Sequence, residues 1–95
     1  MHGADLESLI NKNRNLFWSV NREDLKNLSL DSVVEHFLNY GDLAAIKELF
    51  GLIGIEEAAR IFYGQIKMKR VNYHRRTINF FELYFIRNAP GNFIN

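Results

Sequence analysis

Apolar residues recur along this chain at helical spacing, and the clearest run follows Ser29. Leu30, Val33, Val34, Phe37 and Leu38 stand at i, i+3, i+4, i+7 and i+8, which places them on one side of a helix. The Ser29 hydroxyl is suited to accept from an orphan amide of the first turn, and Asp31 suits the positive end of the helix dipole. Gly41 closes the run and predicts a left-handed cap. Asp42 predicts the cap of a second helix, with Leu43, Ile46, Leu49, Phe50 and Ile53 as its apolar side and Gly51 and Gly54 punctuating its end.

A third helix is predicted from about Glu56, with Ala58, Ala59, Phe62 and Ile66 inward. Glu56 and Glu57 in its first turn and Lys67 and Lys69 near its end both match the dipole. Thr77 predicts the cap of a fourth helix running to about Arg87, ahead of the single proline, Pro90. Weaker helical turns are predicted over 6–10 and 22–28, the second capped by Asn21. No stretch alternates in period two, and the links are short enough to make sequential helices neighbours. The expectation is one all-α domain over residues 1–95. Its architecture is a compact orthogonal or bundle-like array of four main helices with an N-terminal aromatic arm. Residues 14–88 form the predicted core, with 1–13 and 89–95 peripheral or in contact with another subunit.

Composition narrows the chemistry. An apolar fraction of 47% is too high for a disordered chain. The absence of cysteine excludes a disulfide, a thiolate nucleophile and a cysteine-based zinc site. No apolar run approaches the ~20 residues of a membrane span. The first residues have neither a basic nor a long apolar region of the signal-peptide kind, so a soluble, cytoplasmic location is expected. The net charge of +1 hides an asymmetry, because residues through Glu48 sum to −3 and those from Leu49 onward to +4.

Catalytic patterns are missing. His2, His36 and His74 form no HExxH or ExxH pair, and no Walker loop, GxGxxG or GxSxG occurs. No enzyme activity, cofactor or metal is expected. His36 reads as a partly exposed structural histidine; a catalytic alternative would need Glu35, His36 and Tyr40 to converge in a cleft.

Three segments remain as binding candidates. Phe17 and Trp18 are adjacent, so both cannot face one way on a helix; they read as an exposed partner anchor or as a plug between helices. In the last helix Ile78, Phe81 and Phe85 form one stripe, while Phe80, Leu83, Tyr84 and Ile86 spread round the other sides. A helix apolar nearly all round is central or shared with a partner, and Phe93 and Ile94 extend that contact. Phe17, Trp18, Phe80 and Tyr84 are therefore the partner-binding residues expected, with another protein or a second copy of the chain as partner. The alternative is nucleic acid, held by Lys67, Lys69, Arg70, Arg75 and Arg76 with Tyr73 stacking on a base. A helix-turn-helix with 55–65 as recognition helix is disfavoured by Glu56 and Glu57, which would repel phosphates.

These residues also carry a resemblance. Phe17-Trp18-Ser19-Val20, the helix end Leu38-Asn39-Tyr40-Gly41-Asp42, then Ile46-Lys47-Glu48-Leu49-Phe50, Ile53-Gly54 and Thr77-Ile78-Asn79-Phe80-Phe81 span about residues 16–85. They resemble a family of small uncharacterised prokaryotic helical domains with a Phe-Trp start and a Leu-x-Tyr-Gly helix end. Members are often encoded beside nucleotidyltransferase-type abortive-infection toxins. The chain departs from that pattern at Ser19, where an acid is usual, at Ile53, where Tyr is common, and at Phe81, where Trp is common. The resemblance implies a non-catalytic, antitoxin-like or accessory partner protein and brings no catalytic residues with it.

Overall fold

Two of the predicted caps form as hydrogen bonds. In the computed structural model, which describes residues 3–21, 23–68 and 71–89 (backbone alone for 3, 4 and 26), the helices are α1 (Gly3–Lys12), α2 (Leu30–Tyr40), α3 (Leu43–Ile53), α4 (Ile55–Ile66) and α5 (Arg75–Asn88). Short 3-10 turns at Arg14–Phe17 and Asp24–Asn27 join α1 to α2. No strand occurs among the described residues. The Ser29 hydroxyl accepts from the Ser32 amide at 3.2 Å, and an Asp42 carboxylate oxygen accepts from the Ala45 amide at 2.8 Å. Each bond satisfies a donor that the first turn would otherwise leave unpaired.

The apolar stripes close on one core. Val33, Val34 and Phe37 of α2, Leu49 of α3 and Ala58, Ala59 and Phe62 of α4 have almost no exposure. α4 lies centrally, packed against α2, α3 and α5. Ala58 and Ala59 let the neighbouring helices approach it closely, while Phe62 fills the space between them. The Phe62 ring meets Tyr63, Tyr73, Phe81 and Phe85 with centroids 5.3 to 6.2 Å apart. Such tilted and edge-on pairs add to the area burial of the rings.

Several expectations are corrected. Gly41 is not left-handed; its φ is −79°. The chain must leave α2 extended so that Asp42 can cap α3 at once. Glycine is still favoured at 41, since a Cβ there would stand 2.7 Å from the Phe37 carbonyl oxygen. The left-handed position is Gly54, at φ +90°. It is the one residue between α3 and α4, with its amide donating to Phe50 O and its carbonyl accepting from Ala58 N. Gly51 lies inside α3. Leu43, expected inward, is instead exposed at the start of α3.

The N-terminal region is more deeply built in than its pattern indicates. α1 is a ten-residue helix with Leu6, Leu9 and Ile10 buried against α3, so residues 5–12 belong to the packed body and not to a periphery. Lys12 Nζ lies 3.1 Å from a Glu48 carboxylate oxygen across that contact. In the other turn region Glu23, not Asn21, stands at the cap position, and Asn21 contributes only a turn bond, its carbonyl accepting from the Asp24 amide. Thr77 is inside α5, which starts two residues earlier because the buried Tyr73 anchors the chain just ahead of it. Pro90, Phe93 and Ile94 lie outside the described residues.

Candidate functional site

The two adjacent aromatics of the first 3-10 turn have opposite fates. Phe17 is 2% exposed and stacks on His36 at 4.8 Å, against α2. It therefore cannot serve as a partner anchor, and the expectation that it would is corrected. Trp18 is 71% exposed, with its ring edge-on to Tyr40, itself exposed, at 6.0 Å. His36, expected to be partly exposed, is buried under Phe17, with Nδ1 2.8 Å from Ser32 O. The group Glu35, His36 and Tyr40 forms no cleft, since Glu35 accepts from Asn72 Nδ2 at 3.1 Å and Tyr40 faces outward.

α5 has two faces. Phe81 and Phe85 enter the core, with Ile78 and Tyr84 partly buried beside them. Phe80, Leu83 and Ile86, by contrast, are 52%, 56% and 56% exposed. At the N-terminal end of that outer face a shallow groove of about 330 Å³ opens between α5 and the α2–α3 corner. Its walls are Leu38, Leu43, Ile46, Arg76, Phe80 and Phe81. Of the expected contact residues, Trp18 and Phe80 are thus available, Tyr84 is half-buried against Phe50, and Phe17 is not. Leu43, Leu83 and Ile86 complete the surface. Leu83 and Ile86 were visible in the pattern of α5, whereas Leu43 was hidden in the stripe of α3.

The basic residues gather around the start of α5. His74, Arg75, Arg76, Thr77 and Asn79 line an open depression of about 660 Å³. α5 has no acid in its first turn and no side-chain cap. Two arginines thus sit at the positive end of a helix dipole, where cations are disfavoured by a few tenths to about 1 kcal/mol each. Just before them Asn72 is tied to α2, and Gln65 at the end of α4 is tied to the start of α2. Asn39 Nδ2 donates to Asn72 O at 2.9 Å, and Gln65 Nε2 donates to Asp31 O at 2.9 Å. Tyr73, expected to stack on a base, is instead buried, with its hydroxyl donating to Gln65 Oε1. Lys69 and Arg70 lie outside the described residues, and Lys67 is exposed at the end of α4. The open side of α4 carries Glu56 and Arg60, so the acid expected to repel phosphates stands on its exposed surface.

Burial pushes the Tyr73 hydroxyl far above the ordinary tyrosine range, and the Glu35 and Asp31 charges push it in the same direction. The folded chain therefore keeps a proton that the unfolded chain releases from about pH 10. The contribution is intact below that pH and is lost above it at about 1.4 kcal/mol per pH unit. We expect the melting temperature to fall steeply above pH 10 and the fall to be shallower in Tyr73→Phe. Circular dichroism melts across that range check this; equal slopes in both proteins would show that Tyr73 is not the group.

No group of three or more His, Asp or Glu suited to a metal occurs among the described residues, and none of their helices is long and apolar enough to cross a membrane. Comparison with protein-family models, curated proteins and solved structures found no match for this chain.

Proposed function

We propose that this chain is a non-catalytic protein-interaction module, of the antitoxin-like or accessory kind, which binds its partner through the outer face of α5 and the groove beside it. The observation that carries this reading is the division of α5. One face is fixed in the core by Phe81 and Phe85, while Phe80, Leu83 and Ile86 on the other are each more than half exposed. Contiguous exposed apolar surface of this kind marks interaction sites on soluble domains. Trp18 and Tyr40 form a second exposed aromatic pair, of the residue types enriched at protein contacts.

Affinity capture from a lysate of the source cells tests the reading, with the double variant Phe80→Asp, Leu83→Asp as the comparison. Leu83 alone should change stability by only about 0.5 kcal/mol, whereas Phe80 also packs on the Phe81 and Tyr84 rings, so Leu83→Asp serves as the folded control. The wild-type chain should retain a defined protein that the variant loses. An identical captured set from both, together with a strictly monomeric chain in light scattering, would argue against the proposal.

A second reading is favoured by the cluster of His74, Arg75 and Arg76 at the positive end of α5. It takes the chain as a nucleic-acid-binding domain whose contacts are to phosphate. Binding to a duplex should then weaken steeply with salt, and Arg75→Ala with Arg76→Ala should reduce the salt slope by about two phosphate contacts. Binding that persists unchanged in that variant would remove this reading.

A further inference from the structure

The charges around the outer face of α5 bear on what covers it. Arg75 and Arg76 stand at its N-terminal end and Arg87 in its last turn, with Phe80, Leu83 and Ile86 between them. The only acid of α5, Glu82, lies to the α4 side, where its backbone carbonyl accepts from the Tyr63 hydroxyl at 3.4 Å. The outer face is therefore an apolar strip with a cation at both ends. Arg76 also forms a wall of the groove, so the positive end of the helix and the apolar depression share a boundary.

That symmetry disfavours a second copy of this helix as the occupant. An antiparallel α5 pair would set Arg76 of one chain against Arg87 of the other, and a parallel pair would set each arginine against its counterpart. Like charges so juxtaposed select against a partner. An acidic helix meets no such conflict in either direction. From Arg76 to Arg87 is about three helical turns, or roughly 16 Å of rise.

We propose that this face takes an amphipathic helix of a different protein, with an apolar stripe of about three turns bracketed by carboxylates about 11 residues apart. This rests on the reading of the chain as an interaction module and specifies the chemistry of its partner. Apolar anchors enter the groove beside Phe80 and lie along Leu83 and Ile86. One carboxylate pairs with Arg76 and the other with Arg87.

The test uses the full chain and two fluorescent synthetic helices with the same leucine stripe, one flanked by glutamates at that spacing and the other by lysines. Fluorescence anisotropy should show the glutamate peptide binding on the order of tenfold more tightly than the lysine peptide. Leu83→Asp should abolish binding, and the double variant Arg76→Glu, Arg87→Glu should reverse the preference while melting like the wild type. Equal binding of the two peptides, or binding of neither, overturns the proposal. So does a dimer that Leu83→Asp dissociates, or a single-stranded oligonucleotide that displaces the glutamate peptide and keeps its affinity in Leu83→Asp. None of these outcomes bears on whether lysate capture retains a protein, so this proposal and the interaction reading can fail separately.

Discussion

Replacing Phe62 by alanine should cost about 3–5 kcal/mol, the range for deleting a large aromatic side chain from a packed core. Phe62 has no exposed surface and meets four aromatic rings. Its removal leaves a cavity lined by α4 and α5 that Tyr73, Phe81 and Phe85 cannot all collapse to fill. Domains of this length hold about 5–15 kcal/mol in total, so the loss is a large part of the whole. In a domain of this size each kcal/mol is worth about 4–8 °C, so the melting temperature should drop by at least 12 °C. Urea unfolding followed by circular dichroism measures the cost. A change below about 1 kcal/mol would mean that α5 is not docked on α4 through this ring. Phe62→Leu, which keeps most of the volume, should recover much of the loss.

The second large effect separates two neighbours. Phe17→Ala should also cost about 3–5 kcal/mol, whereas Trp18→Ala should change stability by about 0.5 kcal/mol or less. Phe17 is enclosed by His36 and Phe37, and its loss would uncover the outer side of α2. Trp18 is exposed, with its ring edge-on to Tyr40. Paired denaturant melts decide the matter, and comparable losses in the two variants would contradict the placement of the first 3-10 turn. Trp18 is the only tryptophan, so the fluorescence of the chain reports on this exposed residue alone.

The contrast between these two residues shows which parts of the fold were legible in the sequence. Periodicity and capping are local, so the inward stripes of α2 and α4 and the caps at Ser29 and Asp42 could be read directly. The 3-10 turn that turns Phe17 inward has no period of its own; contact with α2 decides its orientation. The same holds at the start of α5. Thr77 has the chemistry of a cap, yet the buried Tyr73 bonded to Gln65, and Asn72 bonded to Asn39, fix the chain before α5 so that the helix starts earlier. Either Gly41 or Gly54 could have been left-handed. The choice depends on the next element, because Asp42 needs an extended approach and Ile55 follows directly in a helix. α1 was underestimated because Leu6, Leu9 and Ile10 make a short stripe without a recognisable cap.

The candidate surface was legible in the same uneven way. The pattern of α5 separated Ile78, Phe81 and Phe85 from the remaining apolar positions, and the exposed Phe80 was named from it. Tyr84 and Phe17 read as contact residues because sequence cannot tell an unfilled gap in the core from solvent. Leu43 carries the same apolar signal as Ile46 one turn later, and only their burial in the fold distinguishes them. The basic cluster was visible as composition, but the burial of Tyr73 that removes base stacking was not.

The two faces of α5 share no exposed anchor, and this has an evolutionary consequence. Phe81 and Phe85 are constrained by the core, while Phe80, Leu83 and Ile86 answer to whatever lies outside. Substitutions among the outer three can accumulate at little cost in stability, so partner choice can drift or be redesigned while the scaffold remains intact. On the proposed reading, related chains should diverge fastest at those three positions and at Arg76 and Arg87, in step with the proposed partner.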